Sequence, residues 1–148
     1  MKKNKRVMVF GVFDHLHDGH RSFLKQARKH GSELIVVVAR DSVAAVLKQK
    51  TPRESERKRM AALRRVPGVW KVVLGDRMQG TYEVIKKWKP DVICVGYDQK
   101  GLLKDIKRHI KESTAPLALR VLRAYHPTIF HSSLVDTLKE VLLWCSRK

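Results

Sequence analysis

The stretch that decides the fold is RVMVFGVFDHLHDGH, residues 6–20, in which a short apolar run leads into a turn rich in glycine, histidine and aspartate. The run at residues 6–11 is almost continuously apolar, as strands buried on both faces of a parallel sheet are. A helix is predicted at residues 19–30, directly after the polar turn. This order is typical of α/β folds that bind ligands beyond the carboxyl ends of their strands.

The same alternation continues along the chain. The predicted strands are residues 6–11, 33–39, 69–74, 91–96 and 117–122. The predicted helices are residues 19–30, 42–47, 54–65, 81–88, 101–111 and 133–145. This pattern predicts a doubly wound, Rossmann-like α/β fold: a mainly parallel five-stranded sheet with helices on both faces. No linker or change of composition divides residues 1–148, so a single domain is predicted.

Composition excludes several classes of protein. With 43% hydrophobic residues among 148, the chain is too apolar for a disordered protein. No apolar run approaches the ~20 residues that span a bilayer, and no signal peptide is recognisable, so a cytoplasmic protein without a membrane partner is predicted. Two cysteines without a CxxC pattern indicate neither a disulfide scaffold nor a zinc module.

The net charge is the strongest signal in the composition. The 32 Lys and Arg residues against 14 Asp and Glu residues give +18, a field that attracts anions. Nucleic acid, acidic lipid and phosphorylated small molecules all fit such a field, and so does a basic surface that serves only solubility. Charge alone therefore does not identify the partner.

The turn after the first strand carries the residues with the most chemistry. Gly11 would let the backbone approach a ligand closely. His17 and His20 stand three residues apart at the start of a predicted helix, hence on one face, where helix amides favour a phosphate. Two imidazoles there could stabilise oxygens that gain charge during phosphoryl transfer. The alternatives are a helix-capping turn with satisfied histidines and a metal site, although no Cys or carboxylate completes zinc spacing.

These residues also carry a family resemblance. HDGH at residues 17–20, preceded by GVFD at residues 11–14, resembles the HxGH signature of HIGH-type nucleotidyltransferases. Within that superfamily the chain is most similar to the cytidylyltransferase-like branch, which includes glycerol-3-phosphate cytidylyltransferases and archaeal-type FAD synthases. GYDQ at residues 96–99 resembles the FAD synthase-like members rather than the GDD-type cytidylyltransferases.

The resemblance implies an enzyme that transfers a nucleoside monophosphate from a nucleoside triphosphate to a phosphate-bearing acceptor and releases pyrophosphate. The pair ATP and FMN, giving FAD, fits best, and CTP with a polyol phosphate, giving a CDP-alcohol, is the alternative. A non-catalytic nucleic-acid-binding module is the rival from another class, and nonspecific binding to polyanions could accompany catalysis. The resemblance further implies Mg²⁺ or another divalent cation held mainly by the phosphates, with Asp14 or Asp41 as outer partners, and a homodimer.

The resemblance also assigns residues. It gives the catalytic roles to His17, His20 and Lys48. The implied nucleotide-binding residues are Val12, Phe13, Asp14, His17, Asp18, Gly19, His20, Lys48, Lys50, Arg59, Asp98, Tyr125, Ser132 and Ser133. Arg59 is expected to face a phosphate, with Arg57 as the alternative in the same basic stretch. Asp98 is either a contact to the ribose or base, or the N-cap of the next helix.

Overall fold

The computed structural model describes residues 4–48, 51–78, 81–97, 99–111 and 117–123. The elements in these ranges are β1 (Arg6–Gly11), α1 (Asp18–Arg28), β2 (Glu33–Val38), α2 (Asp41–Lys48), α3 (Glu56–Arg64), β3 (Val69–Leu74), α4 (Glu83–Trp88), β4 (Val92–Gly96), α5 (Lys100–Lys111) and β5 (Ala118–Leu122). Each strand begins and ends within one residue of its prediction. The helix predicted at residues 133–145 lies outside the described residues. In these ranges no helix is both long and apolar enough to cross a membrane.

The five strands form one parallel sheet in the order β3-β2-β1-β4-β5. This confirms the predicted doubly wound α/β fold. The chain moves outward from β1 through β2 to β3, then crosses back to place β4 and β5 on the other side of β1. The strand order therefore reverses between β1 and β4, and the carboxyl ends of these two strands flank the crevice where such sheets bind ligands.

Successive side chains of a strand point to opposite faces, and this divides the core into two layers. Val9 of β1 belongs to the cluster that contains Leu63 of α3 and residues of α1. Met8 of β1 belongs to the opposite cluster, which contains Leu102 of α5 and residues of α4. The inner strands β1, β2 and β4 are buried on both faces, whereas the edge strands β3 and β5 are partly exposed. Helices thus cover the sheet on both sides, and among the described residues no helix covers its carboxyl edge.

Candidate active site

The loop between β1 and α1 turns sharply at the carboxyl edge of the sheet. Phe13 and His15 have positive φ angles of 56° and 50°, which are uncommon for residues other than glycine. A Cβ at Gly11 would lie 2.7 Å from the Phe13 ring, which folds back over the end of β1. Close approach by a ligand is the prediction for Gly11, but in the structure the Phe13 ring makes the close approach. Gly11 is thus required by the shape of the loop itself.

His17 and His20 form a stacked pair where α1 begins. Their ring centroids are 3.8 Å apart and their planes are tilted by 21°. The backbone N–H of Gly19 donates to Nδ1 of His17 (3.1 Å), and the N–H of His17 donates to Nδ1 of His20 (3.3 Å). Because each Nδ1 accepts a hydrogen bond, each neutral ring carries its hydrogen on Nε2. The histidines therefore cap the helix, and each presents an Nε2–H donor in a fixed orientation.

The glycine between the histidines has a steric reason. A Cβ at Gly19 would lie 2.9 Å from the His17 ring. Any side chain there would displace that ring and with it the stack on His20. The HxGH spacing thus places both capping histidines on one helical turn. The missing side chain of Gly19 leaves the space that the His17 ring occupies.

His20 is the more buried of the pair. It is 7% exposed, and its ring meets Phe13 edge to face with centroids 5.4 Å apart. Burial lowers the pKa of His20 from 6.5 to about 3; the charges of His17 and Arg21 also lower it, and Asp14 acts in the opposite sense. His20 is therefore neutral at physiological pH and can offer a hydrogen bond rather than a full positive charge.

Asp14 joins the loop after β1 to the segment that leads into α3. Its carboxylate accepts the backbone N–H groups of Arg53 (2.9 Å) and Glu54 (3.0 Å). In return, the Glu54 carboxylate accepts the N–H of His15 at 2.9 Å. Charge-assisted hydrogen bonds of this kind are stronger than neutral ones. These bonds hold together two segments that are about 40 residues apart in sequence.

Arg59 occupies the centre of this network, and the structure corrects the expectation that it faces a phosphate. Its side chain is fully buried. One terminal nitrogen donates to the carbonyls of Val12 (2.8 Å) and Ala39 (2.9 Å), and the other pairs with Asp41 at 2.6 Å. Its Nε donates to the carbonyl of Glu54 at 3.1 Å. Arg59 therefore fixes the ends of β1 and β2 relative to α2 and α3. Arg57, the alternative, is exposed.

Gln99 is a site-forming residue that the sequence analysis missed. It is 4% exposed, and its side-chain oxygen accepts the N–H of Gly96 at 2.6 Å. Its side-chain nitrogen donates to the carbonyl of Phe10 at 3.2 Å. Gln99 thus connects the carboxyl ends of β4 and β1 on the two sides of the crevice. The signal in the sequence was an amide side chain three residues after the end of an apolar strand, where an amide can bind the backbone of strand ends.

The structure brings many of the predicted site residues to one place. Val12, Phe13, Asp14, Asp18, Gly19 and the two histidines lie in the β1–α1 loop and the first turn of α1, where Asp18 pairs with Arg21 at the surface. Lys48 is the last residue of α2. Lys50, Asp98, Tyr125, Ser132 and Ser133 lie outside the described residues. Within the described part of the chain, no three His, Cys, Asp or Glu residues group closely enough to hold a metal ion.

Comparison with known proteins places this geometry in a family. The family model described as Cytidylyltransferase-like matches residues 8–134. The FAD synthase of Thermococcus sibiricus is 35% identical over 135 residues, which cover 90% of this chain and 91% of that protein. The FAD synthase of Aciduliprofundum boonei is 41% identical over 120 residues, covering 81% and 79%.

A solved structure with a different name has the same fold. The crystal structure of the lipopolysaccharide core biosynthesis protein from Thermoplasma volcanium is 36% identical, with a TM-score of 0.76 over 83% of this chain and 99% of that one. The match of the family model includes both histidines, the buried arginine, most of β1 and the other four strands. The chain therefore belongs to the Cytidylyltransferase-like family of nucleotidyltransferases.

Proposed function

We propose that this protein is an FAD synthase, which transfers the adenylyl group of ATP to the phosphate of FMN and releases pyrophosphate. The observation that carries this proposal is the stacked pair His17 and His20 at the start of α1, beside the reversal of strand order between β1 and β4. The similarity to FAD synthases over most of both chains supports ATP and FMN as the substrates.

The chemistry places few demands on the protein beyond positioning and charge. A phosphate oxygen of FMN donates an electron pair to the α-phosphorus of ATP. The bond between that phosphorus and the oxygen that joins it to the β-phosphorus breaks. Pyrophosphate leaves with the electron pair of that bond. Because the acceptor is already an anion, neither a general base nor a covalent enzyme intermediate is required. Catalysis then consists of alignment and stabilisation of developing negative charge.

The histidines supply donors for that charge. With both Nδ1 atoms engaged by backbone N–H groups, the Nε2–H groups of His17 and His20 are the ring donors for oxygens of the α-phosphoryl group. The amides of Val12, Phe13 and Asp18 belong to the same loop and helix start, where the helix dipole favours an anion, and the Gly19 amide holds the His17 ring in place. Donors that are already oriented need little rearrangement during the reaction, and this is the main electrostatic advantage of such a site.

The remaining contacts follow from the family resemblance. We assign Lys48 and Lys50 to the phosphates of ATP, Asp98 to the ribose or base edge, and Tyr125 to the nucleotide. Ser132 and Ser133 would hold the pyrophosphate end of the nucleotide. Arg59 and Asp14 act as positioning residues. Arg59 donates to the carbonyl of Val12 in the loop that carries the histidines, and Asp14, which belongs to that loop, accepts the backbone N–H groups of Arg53 and Glu54 before α3.

The donor set fits a metal ion that arrives with the nucleotide. Asp14 uses its two oxygens on backbone N–H groups, and Asp41 pairs with Arg59, so neither carboxylate is arranged as one member of a protein cage. Mg²⁺ usually keeps water and phosphate ligands and needs few protein ligands. Asp14 and Asp41 would then act as outer partners of bound Mg²⁺, which neutralises phosphate charge.

We extend the proposal to the setting of the enzyme. Residues 1–148 would form a single domain that works as a homodimer in the cytoplasm, as the family resemblance and the sequence pattern favour. The charge of +18 supports additional nonspecific binding to polyanions.

Pyrophosphate release tests the proposed function. The protein is incubated with Mg²⁺ and each pairing of ATP or CTP with FMN or glycerol 3-phosphate, and FAD is identified by chromatography. We expect turnover with ATP and FMN. Turnover with CTP and glycerol 3-phosphate alone would replace this function by that of a CDP-alcohol-forming cytidylyltransferase. Strongly salt-dependent binding to DNA or RNA, without turnover of any pair, would favour the nucleic-acid-binding module.

A further inference from the structure

A second concave site lies at the same edge of the sheet as the histidines, beyond the ends of β2 and β3. It is an open cavity of about 720 Å³. Its walls are Arg40, the loop after β3, and α4 with the residues just before it. This volume falls in the range of pockets that hold cofactor-sized ligands. Its described lining includes neither His17 nor His20.

The walls of this cavity are fixed by hydrogen bonds. Nε of Arg40 donates to the carbonyl of Gly75 at 2.8 Å and joins the ends of β2 and β3. The carboxylate of Asp76 accepts the Thr81 hydroxyl (2.5 Å) and the backbone N–H groups of Glu83 (2.5 Å) and Val84 (3.3 Å). Hydrogen bonds from the side chains of Arg40 and Asp76 to the backbone therefore hold the walls of the cavity in place.

The charge of the lining is positive. Four cations, Arg40, Arg77, Lys86 and Lys87, face two carboxylates. Asp76 is one of these carboxylates and is used in capping the backbone, whereas Glu83 pairs with Lys86 at 3.6 Å. The excess of positive charge favours a ligand with negative charge or several hydrogen-bond acceptors.

The lining also has an apolar component. Leu74 and Val84 contribute to the wall, and Met78 lies among the lining residues with 71% of its surface exposed. An exposed methionine is an adaptable, polarisable surface against which a flat aromatic ring packs well. The cations beside Met78 can donate hydrogen bonds to carbonyl oxygens at the edge of a ring that packs on the methionine.

The position of the cavity relative to the histidines suits the acceptor, an inference that rests on the proposed function. In-line transfer needs the acceptor opposite the leaving pyrophosphate. We assign the ribose or base of ATP to Asp98, which follows β4 in sequence, so the acceptor enters from the other side of β1, the side of β2 and β3. β3 is two strand spacings from β1, about 10 Å. The five-carbon chain of FMN is long enough to bridge this distance.

We propose that the cavity formed by Arg40, Arg77, Met78 and α4 binds the isoalloxazine ring of FMN while the FMN phosphate lies at the histidines. Met78 packs on the ring, and Arg77 with the α4 lysines donates to its carbonyl oxygens. A small polyol phosphate has no ring and would leave Leu74 and Met78 uncovered. The cavity thus favours a flavin over a small alcohol as acceptor.

The test uses the exposed residues Arg77 and Met78, whose replacement leaves the core intact. We expect Arg77→Ala and Met78→Ser each to raise the KM for FMN about tenfold and the double variant more, with the KM for ATP changed less than twofold. Quenching of FMN fluorescence should show the same loss of affinity. Lys107→Ala, which removes one exposed charge on α5 outside the cavity, is the control and should change neither constant.

The outcomes separate this inference from the proposed function. If the wild-type protein makes FAD and the double variant has the wild-type KM for FMN, the cavity is not the flavin site, although the enzyme is an FAD synthase. An equal rise of both KM values would also overturn the inference, because a flavin pocket should not affect ATP. If the wild-type protein neither makes FAD nor quenches FMN fluorescence, both proposals fail together.

Discussion

Two aspartates, Asp14 and Asp76, follow strand ends at the carboxyl edge of this sheet. Both accept hydrogen bonds from backbone N–H groups, but their surroundings differ. Asp14, after β1, is 9% exposed and lies in the network around the fully buried Arg59. Asp76, after β3, is partly exposed and lies in the wall of an open cavity among exposed cations. Both accept backbone N–H groups from a later segment.

The difference separates the chemistry from the recognition of the acceptor. Donors for the transferred phosphoryl group must be held close to their working geometry, and a buried polar network provides that rigidity. The cavity after β3 is lined by side chains that can change without leaving a buried group unpaired. Substitutions in the proposed acceptor wall can thus change recognition while the loop with the histidines stays intact.

The largest expected effect is on stability, at Arg59. Arg59→Met leaves three carbonyls and the Asp41 carboxylate without their partner, so we expect the free energy of unfolding to fall by about 3–5 kcal/mol. Urea unfolding followed by circular dichroism measures it. Arg57→Met, on the exposed side of α3, is the control and should cost less than about 0.5 kcal/mol. Similar losses of unfolding free energy in both variants would contradict the role of Arg59 as a buried residue that holds the loop after β1.

The next effect is on turnover. His17→Ala and His20→Ala should each lower kcat on the order of 10²-fold or more, because a preoriented donor to the phosphoryl oxygens is lost. FAD formation at saturating ATP and FMN measures this, and circular dichroism checks that the fold is retained. His30→Ala, beyond the other end of α1, should leave kcat unchanged. Near-normal rates in both histidine variants would refute their catalytic assignment.

The buried network should also make stability depend on pH. The unfolded chain protonates His20 near 6.5, but the folded protein does so only near pH 3. The contribution of neutral His20 is thus complete above pH 6.5 and is lost as the pH falls toward 3, by about 1.4 kcal/mol per pH unit. Urea unfolding of the wild type and His20→Asn between pH 7 and 4 measures the difference. Parallel pH profiles of the two proteins would contradict this account.

The smallest expected changes are those in unfolding free energy when Asp14 and Asp76 are each replaced by alanine. Asp76→Ala removes a helix cap at a partly exposed site and should cost about 1 kcal/mol of unfolding free energy. Asp14→Ala removes charge-assisted bonds at a buried site and should cost about 2 kcal/mol. In kinetics, Asp76→Ala should raise the KM for FMN, whereas Asp14→Ala should lower kcat. The reverse pattern would exchange the roles of the two regions.

The sequence predicted the frame of the site better than its interior. The strands were recognisable because β1, β2 and β4 are buried on both faces and read as unbroken apolar runs. The pair His17 and His20 was recognisable because helical spacing places residues i and i+3 together. Arg59 was expected to face a phosphate because it lies in a basic segment, whereas its burial depends on carbonyls from two strand ends and a loop that the sequence does not bring together.

The sequence by itself determined the parallel sheet, the helix that begins at the histidines and the family, because these depend on short-range periodicity and on one contiguous motif. Tertiary structure alone decided that Arg59 is a buried clamp, that Gln99 connects β4 to β1, and that a cavity opens beyond β2 and β3. These features join residues far apart in sequence, and their hydrogen bonds exist only after the strand order has been formed. A local pattern specifies an element, whereas the meeting of several chain segments specifies the site.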